Sequence, residues 1–141
     1  MNTPTTKNTK RSERIESNEP DLSTIVVDCV FKVHSTLGPG LLESTYEKCL
    51  IHDLQKRGLK VEAQKTLPIL YDGLKIDAGY RVDLLIADEL ILEIKSVDKM
   101  SPIYQAQLMT YLKLSQIKTG LLINFNVKLI RDGIRLSLIH I

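Results

Sequence analysis

The sequence has no tryptophan, five tyrosines, two phenylalanines and only two cysteines among its 141 residues. Cys29 and Cys49 are far apart and form no C-x-x-C pair, which excludes a disulfide framework and a cysteine zinc site. No apolar run approaches the roughly 18 residues that a membrane-spanning helix needs, and the N-terminus lacks the apolar stretch of a signal peptide. We therefore expect a cytoplasmic protein with no membrane partner.

Neither sign of charge dominates the sequence, since 19 basic and 17 acidic residues leave a net charge of +2. A protein that coats nucleic acid non-specifically would carry a clear basic excess. With 43% hydrophobic and 26% charged residues, the composition is typical of a single globular domain. Residues 1–19 are almost entirely polar, so we expect a flexible N-terminal tail followed by one domain over residues 20–141.

Two segments after residue 20 carry apolar residues at helical spacing. The first is predicted to span Leu22–Leu37, with Asp21 as its N-cap and Gly38 at its end. The second is predicted to stop at Gly58 and to present one apolar stripe, made of Leu42, Tyr46, Cys49, Leu50 and Leu54. We expect these two helices to pack together.

Turn residues divide the rest of the chain into three strands, a helix and two further strands. The predicted strands are residues 61–71, 74–87, 90–96, 121–126 and 134–139. Ser101 and Pro102 are suited to the start of the intervening helix, which is predicted to run to about Gln116, with Gly120 separating it from the next strand. The predicted order is ααβββαββ, an α/β fold without internal repeats.

Three charged residues interrupt the second and third strands: Asp83, Glu93 and Lys95. Apolar residues otherwise fill both alternating positions of these strands, as in a strand that is covered on both faces. Burying an ionised group without a partner is costly. These three side chains must therefore pair with each other, bind a cation or reach water.

The loop between these strands decides whether the three charges meet. Glu93 and Lys95 are two residues apart and share one face of a strand. A two-residue loop at Asp88 and Glu89 would turn Asp83 to the other face, whereas a loop of three or five residues would bring Asp83 opposite Lys95. We predict the odd loop, or an equivalent bulge.

Two carboxylates beside an ammonium group suit Mg²⁺, which takes carboxylate oxygens and keeps bound waters. In such a site Lys95 would activate the attacking water or stabilise charge in the transition state. The same residues also allow a cross-strand salt bridge on a solvated face, contributing roughly 0.2 to 1 kcal/mol. A third interpretation is a buried ion network with a purely structural role.

Several short motifs follow one another in the chain: residues 40–46 (GLLESTY), Asp83, residues 93–95 (EIK) and residues 107–111 (QLMTY). In this order they resemble the GxxExxY protein family, which is similar to the PD-(D/E)XK nuclease superfamily. The resemblance covers about residues 21–138. It implies a restriction-endonuclease-like core, with a three-stranded antiparallel meander, a crossover helix and two further strands in a mixed sheet flanked by helices.

The resemblance also implies a nuclease that hydrolyses phosphodiester bonds in DNA or RNA with Mg²⁺, or with Mn²⁺ in its place. Glu43 resembles the helical acid of the superfamily, and Asp83 and Glu93 resemble its paired strand carboxylates. These three acids are the implied metal ligands. Lys95 resembles the catalytic lysine, and Gln107 matches a glutamine that lies near the site in several nuclease branches.

Two positions depart from the family pattern. Val82 replaces the proline that names the superfamily motif, and Tyr104 stands where many GxxExxY relatives have a histidine. Taken singly, Glu43 is a favourable acid in the first turn of a helix, and Tyr46 is a core residue with a paired hydroxyl. The alternative function is a binding module for nucleic acid or protein that keeps the fold and has little or no cleavage activity.

Overall fold

The computed structural model describes residues 21–140. The tail predicted for residues 1–19 lies outside the described residues. The helices and strands are α1 Leu22–Leu37, α2 Glu43–Lys56, β1 Val61–Tyr71, β2 Leu74–Ile86, β3 Leu90–Lys95, α3 Pro102–Ser115, β4 Thr119–Asn124 and β5 Ile134–Leu138. A 3-10 turn at Ile130–Gly133 leads into β5. The predicted order ααβββαββ is confirmed.

The five strands of the described chain form one mixed sheet in the order β1-β2-β3-β4-β5. The central strand β3 runs parallel to β4 across the connection made by α3, and the other three neighbouring pairs are antiparallel. Every residue of β3 except Lys95 is buried, as expected for a strand that is covered on both faces. The predicted α/β class, with an antiparallel meander and a crossover helix, is confirmed.

The helix boundaries follow from local chemistry. The side chain of Asp21 accepts a hydrogen bond from the backbone N–H of Thr24, and the Ser101 side chain caps α3 in the same way. At the end of α1, Gly38 adopts a positive φ of 76°, which a residue with a side chain rarely does. The N-caps that were predicted for these helices are confirmed.

The boundary between α3 and β4 differs from the prediction. The helix ends at Ser115, and Gln116 takes the left-handed conformation with φ 60°. Gly120 lies inside β4, where an added Cβ would meet the side chain of Leu108 at 2.9 Å. This glycine is therefore required by close packing of α3 on the sheet, and the strand begins at Thr119.

Each face of the sheet has its own hydrophobic core. Helices α1 and α2 cover one face, and the large side chains that fill this core include Tyr46, Leu50, Leu54, Leu92, Ile94 and Phe125. Helix α3 covers the other face. Its Leu108 and Leu112 pack against strand residues Val82, Leu85, Ile91 and Leu122. Leu42, predicted to belong to the α2 stripe, precedes that helix and is 73% exposed. None of the described helices is both long and apolar enough to cross a bilayer.

Candidate functional site

The hairpin between β2 and β3 has the odd loop that was predicted. Leu84 pairs with Leu92 and Ile86 pairs with Leu90, which leaves a three-residue loop at residues 87–89. One further step along both strands brings Asp83 across from Glu93. The prediction that Asp83 lies opposite Lys95 is therefore wrong. With a three-residue loop, the partner of Asp83 is Glu93, two residues before Lys95 on β3.

Side chains replace the backbone acceptors where the β2–β3 pairing ends. The N–H of Asp83 donates to Oε2 of Glu93 at 2.8 Å, and the N–H of Ile94 donates to Oδ2 of Asp83 at 2.8 Å. Each carboxylate thus accepts a hydrogen bond from the opposite strand. This reciprocal arrangement holds the two acidic side chains next to each other.

The carboxylate of Glu93 lies in an unfavourable environment for its negative charge. The residue is only 5% exposed. The pKa of Glu93 is raised from 4.5 to about 7, first by burial and then by the nearby negative charge of Asp83. The hydrogen bond from the Asp83 backbone and the positive charges of Lys95 and Arg81 only partly offset these effects. The acidic pair therefore favours an additional positive charge.

Lys95 is the last residue of β3, two positions after Glu93. Its Nζ lies 4.4 Å from the centroid of the Tyr104 ring, in a cation–π contact with α3. Tyr104 thus contacts the predicted catalytic amine.

Glu43 reaches the same end of β3 from the first turn of α2. Its Oε2 accepts a hydrogen bond of 3.0 Å from the backbone N–H of Ser96, the residue directly after Lys95. The structure therefore brings the helical acid to the end of the central strand, next to the residue that follows Lys95.

Tyr46 is buried and holds the loop before α2 through its hydroxyl. The Tyr46 hydroxyl donates to the carbonyl oxygen of Gly38 at 2.6 Å and accepts from the N–H of Leu41 at 3.1 Å. The fully buried ring stacks on Phe125 with centroids 4.2 Å apart. The expectation of a core tyrosine with a paired hydroxyl is confirmed. Tyr46 fixes the loop that precedes Glu43.

Two residues of the site were missed by the sequence analysis. Gln64 donates from Nε2 to Oε1 of Glu47 at 2.8 Å and to Oδ1 of Asp83 at 3.4 Å. Glu47 lies one helical turn after Glu43, and this four-residue spacing was the one signal that could have identified it. Its pKa is raised, mainly by burial and then by the charge of Asp83, against the hydrogen bond from Gln64.

Helix α3 approaches the acids through Tyr111. Burial raises the pKa of the Tyr111 hydroxyl, and the charges of Glu93 and Asp83 add to the effect. Gln107 is exposed and lies close enough to Tyr111 to lower the pKa of its hydroxyl slightly against these effects. The predicted glutamine thus lies beside a tyrosine whose pKa is raised by the charges of Asp83 and Glu93.

A shallow cleft of about 360 Å³ opens beside this end of β3 and is lined by Leu41, Leu42, Glu43, Ser44 and Ser96. A larger cleft of about 660 Å³ also includes Leu42 and Ser96 and extends toward Asp98 and Asn126. Glu43 is therefore accessible from a concave surface.

A divalent cation needs several oxygen donors that converge on one point. Within residues 21–140, no three His, Cys, Asp or Glu side chains form a group that could hold a metal ion. The expected convergence of Glu43 with Asp83 and Glu93 is therefore not formed in this arrangement. The two strand acids do fit a hard cation, since they supply carboxylate oxygens and since a cation would offset the charge that raises the pKa of Glu93.

Comparison with known proteins gives one match. A family model of the PD-(D/E)XK nuclease superfamily matches residues 20–136, most of the chain. No curated protein and no solved structure matches this chain. The matched region contains α2 with its helical acid, the β2–β3 hairpin and the crossover helix, in the order that the motifs predicted. We conclude that this chain belongs to the PD-(D/E)XK nuclease superfamily.

Proposed function

We propose that this protein is a metal-dependent nuclease of the GxxExxY family that hydrolyses phosphodiester bonds in nucleic acid. The observation that supports this best is the reciprocal hydrogen bonding of Asp83 and Glu93, which fixes two carboxylates side by side. The positive charge of Lys95 is close enough to lower the pKa of Glu93. A structural ion network would be expected to pair these charges fully, whereas Glu93 is left with a raised pKa.

In this proposal Asp83 and Glu93 would hold Mg²⁺, or Mn²⁺ in its place, and Glu43 would become the third ligand by turning away from the backbone N–H of Ser96. When bound, such a cation polarises a phosphoryl oxygen and increases the acidity of a coordinated water. The hydrogen bonds from the Ile94 and Asp83 backbones pre-orient the two strand carboxylates, so little reorganisation is needed on binding.

The other side chains act on the nucleic acid. Lys95 carries a positive charge at Nζ, which would hydrogen-bond to a phosphate oxygen or orient the attacking water. Gln107 and Tyr111 offer hydrogen bonds from α3 for positioning. Because the net charge is only +2, we attribute binding of the phosphates to local basic residues such as Lys95, Arg81, Lys99 and Lys113.

The test is cleavage of labelled DNA and RNA, each single- and double-stranded, in Mg²⁺, in Mn²⁺ and in a chelator. We expect cleavage that depends on the cation and that Lys95→Met and Glu93→Gln each lower by about 100-fold or more. Lys56→Met, at the distant end of α2, is the matched control and should cleave like the wild type. Equal cleavage by all four proteins would contradict the proposed site.

A binding module without cleavage is the second candidate function. It is favoured by one observation, the lack of a group of three potential ligands within residues 21–140. In that case calorimetry would detect no Mg²⁺ or Mn²⁺ binding, and Asp83→Asn would leave nucleic-acid affinity unchanged. Cation binding that is lost in Asp83→Asn would exclude this candidate.

A further inference from the structure

Gln64 has an unusual backbone for a residue inside a strand. Its φ of 52° is in the left-handed region, although Gln64 lies within β1. Pairing with β2 is regular on both sides, at Ala63 with Leu84 and at Lys65 with Val82. Gln64 therefore occupies the position across from Asp83. Such strained residues persist where the surrounding structure requires them, often at functional sites.

The strained backbone is associated with a bridge between two acids. The Nε2 atom of Gln64 donates to Glu47 at 2.8 Å and to Asp83 at 3.4 Å. An amide nitrogen has two hydrogens, so it can serve both carboxylates at once. Because Glu47 belongs to α2 and Asp83 to β2, one neutral side chain connects the helix that carries Glu43 to the strand that carries Asp83.

The bridge also completes the hydrogen bonding of Asp83. Its Oδ2 accepts from the backbone N–H of Ile94 at 2.8 Å, while Oδ1 has the longer bond to Gln64. With a donor on each oxygen, rotation of the carboxylate is restricted. The amide also lies between two acids that would otherwise repel each other.

We propose that Gln64 is a positioning residue for divalent-cation binding. It orients Asp83 and sets the distance between the β2–β3 hairpin and the turn of α2 that carries Glu43 and Glu47. This inference rests on the proposed nuclease function. Residues that orient metal ligands through a hydrogen bond affect metal affinity by about 10- to 100-fold when they are removed.

The test separates positioning from folding. Gln64→Gly removes the amide but suits the left-handed backbone, whereas Gln64→Ala removes the amide and keeps the strain. We expect Mn²⁺ affinity, measured by calorimetry, to fall about tenfold in both variants. We expect the midpoint of urea unfolding to be as high as in the wild type for Gln64→Gly and lower for Gln64→Ala.

Gln116→Gly is the matched control, since Gln116 has a similar φ of 60° and lies at the end of α3. It should leave Mn²⁺ affinity unchanged. If the wild type binds Mn²⁺ and Gln64→Gly binds it equally well, the positioning role is refuted while the proposed function stands. If the wild type binds no Mn²⁺, the cation site itself is refuted, and the positioning role with it.

Discussion

The backbone N–H of Asp83 donates to the carboxylate of Glu93 at 2.8 Å, directly across the β2–β3 hairpin. This bond holds Glu93 close to the negative charge of Asp83 in a site where it is 5% exposed. Its stabilising effect on the ionised carboxyl is smaller than the opposing effect of burial, so the pKa of Glu93 is raised to about 7.

The raised pKa predicts that stability falls as the pH increases. In the unfolded chain Glu93 releases its proton near pH 4.5, while the folded protein keeps it until about pH 7. Because the folded state binds more protons in this window, its free energy of unfolding should decrease by roughly 3 kcal/mol from this group. Glu93→Gln should remove that decrease and should be more stable than the wild type above pH 7.

Urea unfolding between pH 4.5 and pH 8 without divalent cations measures this effect. Glu89→Gln, in the exposed loop between β2 and β3, is a control that should keep the pH dependence of the wild type. The interpretation would be wrong if Glu93→Gln and the wild type lost stability equally over this range.

Tyr46→Phe should destabilise the protein by about 1 to 3 kcal/mol. The change leaves the carbonyl oxygen of Gly38 and the N–H of Leu41 without their hydroxyl partner next to a buried ring. Thermal or urea unfolding provides the measurement. Tyr71→Phe is the matched control, because Tyr71 is 71% exposed and its substitution should change stability by less than about 0.5 kcal/mol.

Replacing Tyr104 tests the contact with the predicted catalytic lysine. Tyr104→Phe keeps an aromatic face for Lys95 and should cleave nucleic acid like the wild type. Tyr104→Leu removes the face, and a cation–π contact of about 0.5 to 1 kcal/mol corresponds to a roughly two- to fivefold lower rate. Loss of activity in Tyr104→Phe would instead assign a role to the hydroxyl.

Asn124→Ala should destabilise the protein by about 2 kcal/mol. This buried side chain accepts from the N–H of Val97 at 3.1 Å and donates to its carbonyl oxygen at 3.0 Å. Its removal leaves polar backbone groups unpaired just after Lys95. Amide hydrogen exchange at Val97 should become faster in the variant, whereas Asn126→Ala, which loses a bond to exposed Asp98, should have a smaller effect on stability.

The features that depend on short-range patterns could be predicted from the sequence. The periodicity of Leu22–Leu37, the N-caps at Asp21 and Ser101, and the odd hairpin loop all reflect interactions between residues close in the chain. The adjacency of Asp83 and Glu93 follows from the same hairpin. The prediction placed Asp83 opposite Lys95 when its partner is Glu93, because no side chain on β3 indicates by how many residues the two strands are offset.

Other features depend on contacts between distant segments and could not be predicted. The left-handed backbone of Gln64 has no signature in the sequence, since glutamine usually avoids this region. The four-residue spacing of Glu47 from Glu43 is a signal, but solvated acids on helices often have the same spacing, and it does not reveal the contact with Gln64. Gly120 resembles a helix terminator, and only the packing of Leu108 shows why β4 needs it.

The sequence separation between each acid and its partner affects the order in which the site can form. Asp83 and Glu93 are 10 positions apart in the chain, so this pair can form as soon as a short hairpin closes, on a timescale of about microseconds. Glu43 and Ser96 are 53 residues apart and meet only when α2 docks on the end of β3. During synthesis on the ribosome, the strand half of the site can therefore assemble before β4 and β5 have emerged.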